Sequence, residues 1–262
     1  MRHFIDHLGR PVSVCDAPQR IVSLVPSQTE LLFDLGVGER VVGVTKFCLH
    51  PAEARKSATI IGGTKQFDFD KIAALRPDII IGNKEENYQE GITRLAADFP
   101  VWLSDIVTFA DARQMIRDVG ELVNAEAAAD SLDAEIAAGF AALPAVAGPP
   151  PRALYLIWRR PWMGAGVGTF IHEMLTVGGF ENTLADRPRY PELTTADIEA
   201  LRPNVVLLSS EPYPFRQKHV AELRALCPGV RAELVDGEPF SWYGSRLRHT
   251  PWYLRALRAR LS

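Results

Sequence analysis

Two thirteen-residue stretches carry the same order of polar and apolar positions. In residues 69–81, apolar side chains at helical spacing run through Leu75 into Arg76-Pro77, and the β-branched run Ile79-Ile80-Ile81 follows. In residues 195–207, the same spacing runs through Leu201 into Arg202-Pro203, and Val205-Val206-Leu207 follows. Proline disfavours the α conformation in the residue before it, so each Arg-Pro predicts a helix end. A run that is apolar at every position predicts a parallel strand covered on both faces by helices. A duplication at domain-sized spacing predicts two similar α/β lobes with parallel sheets.

The rest of the chain fits that plan. Residues 2–18 alternate weakly around Asp6-His7-Leu8-Gly9-Arg10, which predicts an edge hairpin. Further strands are expected at 21–25, 41–44, 101–103, 153–157 and 232–235. Helices are expected after Pro26, over 87–97, over 170–177 ending at Gly178-Gly179, over 217–226 and over 253–260. Between the halves, residues 108–143 read as helix throughout, and Asn124, a good N-cap residue, divides them. The second of these helices is expected to run for about 19 residues, roughly 30 Å, and to act as a strut. Gly148-Pro149-Pro150-Pro151 ends the connection. The expected division is 1–107 for an N-terminal α/β lobe, 108–147 for linking helices and 148–262 for a C-terminal α/β lobe.

Composition narrows the function. The chain has 262 residues, 47% of them hydrophobic, enough for a core in each lobe. A net charge of −3 offers no basic field, which excludes nucleic acid as a partner. Three cysteines, Cys15, Cys48 and Cys227, form no disulfide framework. No apolar run reaches the roughly 18 residues of a membrane span, and the first residues lack the apolar centre of a signal peptide, so the chain as written reads as cytoplasmic.

In open α/β sheets, ligands bind outside the carboxyl ends of the strands. The first-half loops there carry Lys46 and Phe47, Lys65 on a Gly62-Gly63 turn, and Lys84. The second-half loops carry Trp158, Arg159, Arg160 and Trp162, then Glu211 and Tyr213, then Trp242, Tyr243 and Arg246. Such aromatics either cap the core or form a ligand wall; their number, beside several bases, favours a wall for an anionic, ring-bearing ligand. Other motifs are weaker. Gly164-Ala165-Gly166-Val167-Gly168 lacks the dinucleotide spacing, and Cys48 with His50 falls short of a metal site and reads as packing. His172-Glu173 has no second histidine at zincin spacing, and no G-x-S-x-G elbow occurs. No catalytic residue is expected, nor any cofactor or bound metal. A rival reading is an enzyme in which Lys46, Lys65, Arg159 and Glu211 act on a bound anion.

The segments Arg20-Ile21-Val22-Ser23-Leu24-Val25-Pro26-Ser27-Gln28-Thr29-Glu30, Gly36-Val37-Gly38, Val42-Gly43-Val44 and Leu75-Arg76-Pro77-Asp78 closely resemble the substrate-binding proteins of bacterial ABC importers for cobalamin and ferric siderophores. Gly178-Gly179-Phe180-Glu181-Asn182 and Leu201-Arg202-Pro203 extend the resemblance into the second half. It implies two Rossmann-like lobes joined by a rigid backbone helix, with a ligand cleft between them. The implied ligand is a metal chelate or corrinoid, the implied partner an ABC permease, the implied location the periplasm or cell envelope, and a monomer is expected. Phe47, Tyr190 and Trp242 fall on positions where the resemblance implies aromatic rings against the ligand. It also implies one acidic permease-docking residue at the start of each repeated helix. Asp70 is that residue in the first copy, while the second has Ala196, with Asp197 one position on.

Overall fold

The computed structural model describes residues 1–145 and 148–261; residues 146–147 of the expected linking segment and the terminal Ser262 lie outside the described residues. The chain divides into two units. The first contains Met1–Ile106, Ala110–Ala138 and Tyr243–Arg248; the second contains Val107–Phe109, Gly139–Trp242 and His249–Ser262.

In the first unit, β1 (Arg2–Ile5) and β2 (Pro11–Val14) form the predicted hairpin. Its turn closes on Asp6, whose carboxylate accepts from the Leu8 and Arg10 amides at 2.9 Å each and from the Arg10 guanidinium. Strand β3 (Ile21–Ser23) leads into α1 (Pro26–Asp34), then β4 (Val41–Val44), the short α2 (Ala54–Ser57) and β5 (Thr59–Ile60). A two-stranded ribbon, β6 (Gly62–Gly63) with β7 (Gln66–Phe67), precedes α3 (Phe69–Leu75). Strand β8 (Ile79–Asn83), helix α4 (Gln89–Ala96) and strand β9 (Val101–Ser104) complete a parallel sheet of order β5-β4-β3-β8-β9. Ile79, Ile80 and Ile81 are fully buried, each contributing about 1.5 to 3 kcal/mol of apolar burial.

Two helices follow, α5 (Phe109–Leu122) and α6 (Glu126–Ala141). Asn124 separates them, as a left-handed residue ending α5 (φ 56°) rather than as an N-cap. The Ala125 amide reaches the Gly120 carbonyl at 2.8 Å and the Asn124 amide reaches that of Glu121 at 3.2 Å, the paired bonds of a Schellman ending. The second helix has 16 residues against the expected 19: Ala125 is taken by this ending, and the helix stops two residues early, at Ala141.

In the second unit, β10 (Arg152–Trp158) pairs with the antiparallel β11 (Trp162–Gly164). Helix α7 (Phe170–Val177) and the short strands β12 (Glu181–Asn182) and β13 (Glu192–Leu193) follow. Then come α8 (Thr195–Ala200), β14 (Val205–Ser209), α9 (Gln217–Leu226), β15 (Arg231–Val235), α10 (Glu238–Ser241) and α11 (Thr250–Leu261). Strands β10, β14 and β15 are parallel, and the sheet runs β13-β11-β10-β14-β15. The antiparallel β11 and β13 are an addition the apolar pattern did not signal, being only three and two residues long. Beyond β11 the glycine run lies against residues 187–189: the Gly166 amide donates to the Arg189 carbonyl at 2.7 Å, and a Cβ on Gly166 would sit 1.9 Å from the Arg187 carbonyl oxygen, so the glycine serves close backbone approach.

The duplication is visible atom by atom. Arg76 and Arg202 both take the left-handed conformation, φ 45° and 46°, which is how each chain leaves its helix without placing an αR residue before proline. Arg20 Nε caps the α3 end at the Leu75 carbonyl (2.7 Å), and the Arg152 guanidinium caps the α8 end at the Leu201 carbonyl (3.0 Å). Asp78 accepts from the Arg20 amide at 2.9 Å, and Asn204 accepts from the Arg152 amide at 2.8 Å.

Candidate functional site

In the first unit the chain runs outward from β3 to β4 and β5, then crosses back to β8, so the switch point lies between the carboxyl ends of β3 and β8. Buried amides fill it. Gln28 Nε2 and Asn83 Nδ2 both donate to Ser104 Oγ, at 2.7 and 3.0 Å. Asn87 Nδ2 donates to the carbonyls of Leu24 and Thr64, and its Oδ1 accepts from the Asn83 amide at 2.9 Å. None of these three amides was singled out as a site residue in the sequence; a polar residue closing an apolar strand run is a signal for Asn83, while Gln28 lies within α1 and Asn87 four positions beyond β8. They hold the strand-end loops in place.

The bases of those loops are mostly engaged. Lys65 Nζ donates to the Glu85 carbonyl at 2.5 Å, and Lys84 pairs with Asp105 at 2.6 Å. Lys46 and Phe47 are exposed, with the ammonium 5.1 Å from the ring centroid. Lys46 lines a groove of about 510 Å³ that also holds Gln66, Phe69, Asp70 and Arg94. The Arg94 guanidinium lies over the Phe69 ring at 3.9 Å. Asp68 is the N-cap of α3, accepting from the Lys71 amide at 3.1 Å, which leaves Asp70 exposed in the first turn. In the second copy Thr194 is the N-cap, so Ala196 is the counterpart of Asp70. Asp197 is used in a capping box, accepting from the Thr194 amide at 2.8 Å.

Two further candidates belong to the segment that rejoins the first unit. Tyr243 is buried at 5% exposure, and Arg246 makes a bidentate pair with Glu30 at 2.8 and 2.7 Å. Cys48 is fully buried between Thr29 Oγ1 (3.1 Å) and Thr45 Oγ1 (3.2 Å), and burial pushes its thiol up. Among the described residues no group of three or more His, Cys, Asp and Glu is placed to hold a metal ion.

In the second unit the corresponding switch point lies between β10 and β14. Trp158, the last residue of β10, is 41% exposed, and Tyr213 stands edge-on to it with centroids 5.5 Å apart. Behind them Trp162 is a core residue at 4% exposure, stacked on Phe215 at 8°. Arg159 lies over the Trp162 ring at 4.2 Å and makes a bidentate pair with Glu222, which holds that carboxyl below the usual range. Arg160 is exposed in the left-handed region at φ 72°. Tyr190 is half-buried, with the Arg189 guanidinium 5.4 Å from its ring. Glu211 accepts from Trp242 Nε1 at 3.0 Å and from Ser241 Oγ. Burial pushes the Glu211 carboxyl up, Glu238 and Asp236 add to this, and the bonds from Ser241 and Trp242 oppose it. The structure thus joins Trp158, Arg159, Trp162 and Tyr213 in one cluster, and Glu211 with Trp242 in another.

Residues 21–226 match the periplasmic binding protein family. The chain belongs to that family. An uncharacterized ABC transporter substrate-binding lipoprotein of Bacillus subtilis is 26% identical over 218 residues, covering 77% of this chain and 67% of the relative. The vitamin B12-binding protein of Salmonella typhimurium is 28% identical over 212 residues, covering 78% and 77%. Among solved structures, the periplasmic heme-binding protein RhuT of Roseiflexus in its apo form superimposes with a TM-score of 0.80 at 26% identity, over 93% of this chain and 97% of that one. These relatives are binding proteins and not enzymes. The four groups of the enzyme reading are each engaged in this binding protein: Lys65 with backbone carbonyls, Arg159 with Glu222, Glu211 with Trp242, and Lys46 with the Phe47 ring. No helix among the described residues is long and apolar enough to cross a membrane.

Proposed function

We propose that this binding protein captures a ring-bearing metal chelate of the corrinoid or porphyrin class and delivers it to an ABC-type permease on the outer side of the cytoplasmic membrane. The observation that carries the reading is the exposed indole of Trp158 beside Tyr213 at a strand-end switch point, in a chain whose relatives are named for vitamin B12 and heme. A flat macrocycle offers faces for such rings, and its rim substituents are hydrogen-bond acceptors. Trp158, Tyr213 and Trp242 are the ligand contacts of the second unit. Arg159 and Trp162 hold the loops that present them. Asp70 is the acidic contact offered to the permease.

The test is absorbance and tryptophan-quenching titration of the purified protein with cyanocobalamin, hemin and a panel of ferric siderophores. One equivalent of a macrocycle is expected to bind and be recovered chemically unchanged. Trp158→Ala and Trp242→Ala are each expected to weaken binding by about 1 to 3 kcal/mol. Tight binding of a siderophore with no macrocycle binding refutes the ligand class. Turnover of the bound compound refutes the binding-protein reading. Recovery of the native protein from the cytosol of its host overturns the proposed location.

A further inference from the structure

His219 lies on α9 at 6% exposure, and no ligand contact above is assigned to it. Its Nδ1 accepts the Arg216 backbone N–H at 2.9 Å, so that nitrogen carries no proton. A neutral imidazole then bears its single proton on Nε2. Nε2 lies 3.1 Å from the Tyr213 hydroxyl, so the ring donates and the phenol oxygen accepts. The hydroxyl's own proton is thereby directed to some other acceptor. Had the imidazole proton been on Nδ1, the phenol would have spent its proton on Nε2 and presented only lone pairs.

The surroundings keep this polarity in force. Burial holds His219 below the usual imidazole range; Lys218, Arg159 and Arg216 act in the same sense, and Glu222 opposes them. Charging the ring would also place a proton on Nδ1 where the Arg216 N–H already points, undoing the bond that opens α9. Tyr213 and Phe215, packed edge-on against the imidazole at 5.3 and 5.4 Å, add no charge. Tyr213 is half-buried and its ring is fixed between Phe215 (4.8 Å) and the exposed Trp158 (5.5 Å). A phenol donor therefore stands, with its direction set, beside an exposed indole.

We propose that His219 fixes the Tyr213 hydroxyl as a hydrogen-bond donor, and that this donor takes an acceptor oxygen on the rim of the ring-shaped ligand. The second half rests on the functional reading given above. Carboxylate and amide oxygens share this chemistry, and hemin and cyanocobalamin present one each.

Two measurements separate the halves. Nitrogen-15 spectra of the histidine rings in the unliganded protein, with His219 assigned by its loss in His219→Phe, are expected to show a neutral ring protonated on Nε2 from pH 6 to 8. An Nδ1-protonated or doubly protonated ring overturns the positioning role. Tyr213→Phe is expected to lose roughly 3- to 10-fold in affinity for whichever of hemin and cyanocobalamin the parent binds, with an unchanged circular dichroism spectrum. Equal affinity overturns the donor role. His219→Gln, whose amide can donate from the position of Nε2, is expected to bind more tightly than His219→Phe; equal losses in the two overturn the coupling. If the parent takes up neither hemin nor cyanocobalamin, the functional reading fails and the ligand half falls with it, while the nitrogen spectrum still decides the state of His219.

Discussion

The indole of Trp242 is held by Glu211: its Nε1–H donates to the carboxylate at 3.0 Å, and Ser241 Oγ donates to the same oxygen. A carboxyl pushed up by burial binds its proton more readily in the folded than in the unfolded chain. Folding stability from this group is therefore present at low pH and is lost as pH rises from the unfolded value through the folded one. Glu211→Gln keeps an acceptor for Trp242 and removes the charge. It is expected to be more stable than the parent at pH 7 to 8 and equal to it near pH 4, by urea denaturation. Glu211→Ala leaves the indole N–H without this acceptor and is expected to cost about 1 kcal/mol and to broaden the Trp242 emission.

His7 follows the same direction with pH, although here the fold favours the charged form. Burial lowers its pKa, but the bond to Asp118 at 2.9 Å and the contact with the Asp105 carbonyl outweigh that, and the net shift is upward. The stabilisation is complete below the ordinary imidazole value of about 6.5 and is lost as pH rises through the folded value. Parent stability is expected to fall between pH 6 and pH 8.5 relative to His7→Gln, read as the difference in urea midpoints.

The left-handed arginines give a paired prediction. Arg76 and Arg202 are exposed, and a side chain in this conformation costs about 1 kcal/mol or more, against a smaller unfolded-state cost for glycine. Arg76→Gly and Arg202→Gly are each expected to raise stability by about 0.5 kcal/mol. A loss of stability in either would show that the arginine side chain contributes at its position.

Docking is expected to be asymmetric. Asp70 stands exposed in the first turn of α3, while its counterpart is Ala196 and Asp197 is bound into its own cap. Asp70→Ala is expected to weaken binding to the cognate permease in nanodiscs, and Ala196→Glu to strengthen it, by surface plasmon resonance. An unaltered response to both removes these helix starts from the docking surface.

The duplication was legible because it rests on short-range rules: apolar spacing, Arg-Pro, and a β-branched run. The conformation that Arg76 and Arg202 take was not, since proline excludes αR before it without choosing between extended and left-handed backbone. The strand-end loops were found, but not the work of each base within them. Whether Arg159 meets a ligand or Glu222 depends on a residue 63 positions away, and no local pattern encodes that pairing. Trp162 illustrates the same limit, because an aromatic in a loop looks alike in sequence whether it faces solvent or, as here, stacks on Phe215. Gln28, Asn83 and Asn87 were overlooked for a related reason: a buried amide is satisfied by backbone carbonyls distant in sequence.

The segment Tyr243–Arg248 makes the first unit discontinuous: its last contribution arrives more than a hundred residues after Ala138. Gly244 passes over Ser27, where a Cβ would lie 3.1 Å from the carbonyl oxygen, and Arg246 clasps Glu30 of α1. A ribosome therefore releases β3, α1 and β8 well before the strand of chain that covers α1 exists. A gene cut anywhere between 139 and 242 yields a first fragment without Arg246, the partner of Glu30, so the two halves of this protein are not interchangeable cassettes for all the pattern they share.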